Sequence, residues 1–125
     1  MPQLQIKKVR LGQNSLLITL TAPREVEAGT TVRFSAYFNS LKDGAFNPSS
    51  LSAKVYEGTQ RATTLATLTP IQDDKGTGSY FADFAVSSTQ GTGPIYVTWT
   101  GTYHQSDDPT PLNIEVSQRI RVVNP

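Results

Sequence analysis

Apolar residues recur at every second position along most of this chain, and no stretch carries a sustained helical period. Leu16, Ile18 and Leu20 make one face of the first clear strand, because alternate side chains of an extended backbone point the same way. Pro23 to Gly29 then turn the chain. Val32, Phe34, Ala36 and Phe38 form the next inward face, with Arg33, Ser35 and Tyr37 outward. Asp43-Gly44 and Asn47-Pro48 are turn residues that mark a polar crossover between two sheets. Leu51, Ala53 and Val55 carry a short strand that stops at Glu57-Gly58. The threonine-rich run from Ala62 to Thr69 has good β propensity but a poor inward face, which predicts an edge strand closed by Pro70.

Turn chemistry leads directly into two further strands. Asp73-Asp74-Lys75-Gly76-Thr77-Gly78 precede a strand whose Tyr80, Ala82, Phe84 and Val86 share a face, and Gly91-Thr92-Gly93-Pro94 precede Ile95 to Tyr103. Trp99 falls on the inward face with Ile95 and Val97, a large aromatic suited to the ~10 Å gap between facing sheets. Thr98, Thr100 and Thr102 are then outward, as ordinary solvent-face threonines or as a face for carbohydrate or sheet pairing. The last strand runs from Leu112 to Val123, with Leu112, Ile114, Val116, Ile120 and Val122 inward and Glu115, Arg119 and Arg121 outward. From Leu16 onward, about seven strands at this spacing predict an all-β, immunoglobulin-like antiparallel β-sandwich over residues 14–125.

Residues 1–13 fall outside that pattern. Leu4, Ile6, Val9 and Leu11 are apolar, with a change of phase at Lys7-Lys8. The segment is either an extra strand added to the sandwich edge or an arm that docks on a neighbouring subunit. Leu4, Ile6, Val9 and Leu11 are the candidate partner-binding residues.

The 125 residues suit one domain, large enough to bury roughly two-thirds of its unfolded surface. Cysteine is absent, which removes disulfides, thiolate nucleophiles and most structural zinc sites. Eleven Lys and Arg against ten Asp and Glu give a net charge of +1. Lys7-Lys8 with Arg10, and Arg119 with Arg121, are short runs near the two ends, not the clustered stripe that a nucleic-acid duplex requires. No nucleic-acid partner is expected. No apolar run approaches the ~20 residues that span a bilayer, so no membrane partner is expected either. Met1-Pro2-Gln3-Leu4-Gln5-Ile6-Lys7-Lys8 lacks the apolar core of a signal peptide. With Met1 as the natural start, the protein is expected to be made and kept in a cytoplasm, its own or a host's.

Candidate chemistry is sparse. His104 is the only histidine, and a triad built from it with Ser106 or another serine is not expected. Adjacent residues on one loop rarely meet the ~3 Å geometry of a base and its nucleophile, and no strand-elbow-helix signature holds a serine. Asp73-Asp74 and Asp107-Asp108 offer oxygens for calcium. The first pair has no carboxylates at the further spacings of an EF-hand loop, and the two pairs would have to meet at one end of the sandwich. Asp before Gly or Pro is, by contrast, ordinary turn chemistry. Gly91-Thr92-Gly93-Pro94 leads into a strand rather than a helix N-terminus, so it is a turn and not a phosphate loop. No catalytic residue, metal ligand or cofactor is expected, and the chain reads as non-enzymatic.

From about Ser15 to Val123 the chain resembles a bacterial or phage immunoglobulin-like domain of the kind found as accessory domains of phage virion proteins. The resemblance is carried by Leu16-Leu17-Ile18-Thr19-Leu20-Thr21-Ala22-Pro23, by Val26-Glu27-Ala28-Gly29-Thr30-Thr31-Val32, by Asp74 with Gly76, Gly78 and Tyr80, and by Gly93 with Tyr96 and Val97. It implies that Tyr80 is a corner tyrosine tying a loop to a strand. The cysteine pair of antibody domains is missing. Such sandwich modules are usually exported, so the resemblance together with the missing export signal points to a structural protein of a phage virion, made in the host cytoplasm, which decorates or cements the capsid or belongs to the neck, tail or baseplate. Its partners would then be the major capsid protein or other virion subunits, with multiple copies in the assembly. The alternatives are a module of a bacterial surface adhesin and a carbohydrate-binding accessory domain. The last needs an exposed aromatic platform, for which Tyr56, Tyr96 and Phe81 are the candidates.

Overall fold

A computed structural model describes residues 2–11, 14–58, 63–104 and 110–124. The chain opens with a long antiparallel pair, β1 (Pro2–Leu11) and β2 (Asn14–Pro23), in register from Leu11 opposite Asn14 to Pro2 opposite Pro23. β3 (Glu25–Glu27) leaves for a second sheet, and β4 (Thr31–Ser40) returns to lie against β2. β5 (Gly44–Ala45) folds back on the end of β4. β6 (Ser49–Glu57) and β7 (Thr63–Leu68) join the second sheet, and β8 (Ile71–Gln72) and β9 (Ser79–Ala85) rejoin the first. β10 (Gly93–His104) and β11 (Pro111–Val123) form a long hairpin in the second sheet.

The strand order is β1-β2-β4-β9-β8 in one sheet, with β5 beside β4, and β3-β11-β10-β6-β7 in the other. Among the described residues every pairing is antiparallel except that of β3 with β11. The two sheets bury one shared core, to which the expected inward residues of β2, β4, β6, β9, β10 and β11 all contribute. The polar segment after β4 carries the chain between sheets as its turn residues predict, and β7 lies at a sheet edge. Trp99 is fully buried, its ring edge-on to Phe38 at a centroid distance of 6.4 Å. Such tilted contacts let the electropositive edge of one ring meet the π face of the other.

Two details depart from the sequence reading. Thr98, expected on a solvent face, is only 2% exposed. It does point away from the core, but β10 is flanked by β6 and β11, and Lys54 and Ser117 stand on either side of it. Its hydroxyl is satisfied by Ser117 Oγ at 2.8 Å. The second departure concerns Tyr80, which contributes a ring packed edge-on to Phe38 at 6.1 Å. A tyrosine does tie a different loop, the one after β4: the Tyr103 hydroxyl donates to the Asp43 carboxylate and lies 3.0 Å from Ser40 Oγ. Burial is the first cause, and the Asp43 contact the second, that pushes the Tyr103 hydroxyl above its ordinary pKa, so it stays protonated and able to donate.

The turn from Asp73 to Gly78 is a structural joint. The Asp73 amide donates to Ser79 O at 2.7 Å, and its carboxylate accepts from the Lys75 amide at 3.0 Å. Gly78 has a φ of 88° and its carbonyl accepts from the Phe38 amide at 2.9 Å. A Cβ there would sit 2.7 Å from the Phe38 carbonyl oxygen, so glycine is required both by backbone conformation and by space.

Candidate interaction surface

The parity of β1 is set by its partner. Leu16, Ile18 and Leu20 are fully buried, and the register places Val9, Lys7 and Gln5 opposite them. Leu4, Ile6, Lys8 and Arg10 therefore point to the outer face of the first sheet, opposite Thr21, Thr19, Leu17 and Ser15. Leu4 and Ile6 are 62% and 63% exposed. Val9 packs partly buried against the core. Leu11 belongs to β1, but its side chain lies outside the described residues. The four candidate residues thus do not share a face. The pairing of β1 with β2 runs without a bulge through Lys7-Lys8, so the phase change in the sequence sends Leu4 and Ile6 outward and Val9 inward.

β1 is also the last strand of its sheet. A strand in that position offers a row of backbone N–H and C=O groups to whatever lies beside it. Ten residues at ~3.3 Å each make this edge about 33 Å long.

The outer face continues inward from β1 as a shallow groove lined by Thr19, Thr21, Ser35, Tyr37, Asp73 and Lys75. Tyr37 on this side and Ile71 beyond it are exposed. Farther across, Arg33 grips Asp83 through two bonds of 2.8 and 3.0 Å, with its guanidinium 3.9 Å from the centre of the Phe81 ring. The hydrogen bond from Arg33 holds the Asp83 carboxyl below its ordinary pKa. In the neighbouring turn, Asp73 is held low first by a hydrogen bond from Asp74 and then by the Lys75 amide, while the same Asp73 contact raises Asp74. On the opposite side of the β1 edge, a second groove is lined by Gln5, Arg24, Glu25, Arg119 and Arg121.

The remaining candidates are dispersed. His104 Nε2 lies 2.9 Å from Ser49 Oγ on the exposed surface, while Ser106, Asp107 and Asp108 lie outside the described residues. Among the described residues, no three His, Cys, Asp or Glu side chains gather as metal ligands. Tyr56 and Tyr96 are cross-strand neighbours on the second sheet, whereas Phe81 is on the first, beneath Arg33. The three aromatics therefore form no common platform. The Tyr103–Asp43–Ser40 cluster escaped the sequence reading. Its one signal was an inward-facing tyrosine, a residue that needs a hydrogen-bond partner when buried. Comparison with known proteins finds no family model and no curated protein that matches this chain.

Proposed function

We propose that this chain is a non-enzymatic structural protein of a phage virion, an immunoglobulin-like sandwich that attaches to coat or other virion subunits through its first strand. The observation that carries the reading is the exposure of Leu4 and Ile6 on an edge strand, beside a core that is complete without them. Exposed apolar pairs on an open edge favour addition of a partner's strand. The immunoglobulin-like assignment is supported by the strand order. β2-β4-β9-β8 against β11-β10-β6 follows the A-B-E-D and G-F-C order of that fold. The chain departs from the antibody pattern in having no cysteine pair and in carrying its tryptophan on β10, the F position, rather than on β6. In a particle, symmetry would multiply a modest contact into firm attachment.

The test is quantitative mass spectrometry of phage particles purified from a strain carrying the gene. The chain is expected in the particles in fixed ratio to the coat protein, and a Leu4→Thr/Ile6→Thr variant is expected to fold but not to co-purify. Particles lacking the wild-type chain would end the virion reading.

A further inference from the structure

Two chemistries run along the outer side of β1. Leu4 and Ile6 are followed on the same face by Lys8 and Arg10, which are also exposed. Neither cation is engaged by a carboxylate among the described residues. On the other side of the edge, Gln5 borders the groove where Arg24, Arg119 and Arg121 meet a single carboxylate, Glu25. Lys7, Lys8, Arg10, Arg24, Arg119 and Arg121 are six of the eleven lysines and arginines in a chain whose net charge is only +1. More than half of the cationic residues are thus gathered around the long β1 edge, which also exposes Leu4 and Ile6.

We propose that the open edge of β1 accepts an acidic extended segment of a partner protein. The added strand places carboxylates beside Lys8 and Arg10, and apolar side chains beside Leu4 and Ile6. The proposal rests on the reading of the chain as an attachment module and specifies the chemistry of what it attaches to. Directly opposed side chains on neighbouring strands stand about 5 Å apart, close enough for opposite charges to attract and like charges to repel. In antiparallel pairing the segment reads as two acidic residues at alternate positions followed by two apolar ones. A second copy of this chain fits less well, since its own β1 carries no carboxylate to set beside Lys8 and Arg10. A nucleic acid would supply phosphates, but neither a backbone ladder for β1 nor apolar groups for Leu4 and Ile6.

The full chain is titrated against a fluorescent decapeptide of alternating threonines that carries two glutamates and then two valines in the intervening positions. The controls are the same peptide with lysines for the glutamates and a single-stranded oligonucleotide. The acidic peptide is expected to bind, more weakly as salt screens the charges. A Lys8→Glu/Arg10→Glu variant, with unchanged circular dichroism, is expected to lose at least about tenfold in affinity, roughly 1.4 kcal/mol, and to prefer the lysine peptide. The proposal is overturned if the wild type ignores the acidic peptide up to about 1 mM, or if the charge-reversed variant binds it unchanged. It is equally overturned if the oligonucleotide binds more tightly, or if the wild type self-associates through this edge in sedimentation. Attachment to particles separates the two ideas. If Leu4→Thr/Ile6→Thr abolishes attachment and Lys8→Glu/Arg10→Glu does not, attachment through β1 stands and the acidic partner is refuted.

Discussion

Tyr103 illustrates how one side chain connects core and surface. Its ring lies 4.5 Å from that of Phe46 and is almost wholly buried, while its hydroxyl reaches the Asp43 carboxylate and Ser40. Ser40 Oγ in turn accepts from the amides of Lys42 and Asp43 at 3.2 and 3.1 Å, so the loop after β4 is pinned by a small network around one phenol. Hydrogen bonds to charged groups contribute about 1.5–3 kcal/mol. Tyr103→Phe keeps the ring and removes only the hydroxyl. It is expected to cost about 2 kcal/mol in urea unfolding with an unchanged m-value, and to speed amide exchange at Lys42 and Asp43. A loss below about 0.5 kcal/mol would mean that the hydroxyl contributes no more than its volume. Position 103 signalled only that a buried tyrosine needs a partner, because period two reports which way a side chain points and not which loop arrives above it. Thr98 failed for a related reason. Alternation marked it outward, while its 2% exposure depends on neighbours from two other strands.

Among the elements, strands with one buried face were the legible ones. β4 reads as Val32, Phe34, Ala36 and Phe38 inward because each is covered by the facing sheet while Arg33 and Tyr37 are not. β3, of three residues, and β8, of two, are too short to display a period. β1 was ambiguous between an added edge strand and a docking arm because its phase change at Lys7-Lys8 leaves no single apolar face, and the unbroken register with β2 splits Leu4 and Ile6 from Val9. The β4–β9 pair also carries a pH response. Arg33 and Asp83 stand directly opposite each other, and the contact lowers the Asp83 pKa and raises that of Arg33. A carboxyl with a depressed folded-state pKa contributes stability above its unfolded value of about 4, and loses it as pH falls through the folded value. Arg33 remains protonated throughout that range. Thermal unfolding from pH 6 to pH 2 should therefore show a steeper acid loss for the wild type than for Arg33→Met, with the two curves converging at the acid end. Parallel curves would show that the ion pair is fully screened.

At the scale of the molecule, the core and the edge strand separate cleanly in their contributions. Leu16, Ile18 and Leu20 face the opposite sheet, and β2 is held on its other side by β4. Among the described side chains, β1 presents Gln5, Lys7 and Val9 on its inner side, and Val9 is the apolar one that packs against the core. Its removal would forfeit the burial of roughly one valine, about 1.5 kcal/mol, and a row of ladder hydrogen bonds whose net value is small because water replaces them. A natural domain has about 5–15 kcal/mol of stability, so the remainder should survive. Deleting residues 1–12 is expected to leave a chain that unfolds cooperatively, less stable by about 3 kcal/mol, with an m-value lowered in proportion to the surface no longer buried. The same deletion removes Leu4, Ile6, Lys8 and Arg10 together and should abolish both particle attachment and binding of the acidic peptide. A truncated chain with no cooperative transition would instead make β1 a folding element of the sandwich. In that event the Leu4, Ile6, Lys8 and Arg10 substitutions, which leave its backbone in place, would be the ones to decide whether its outer face binds a partner.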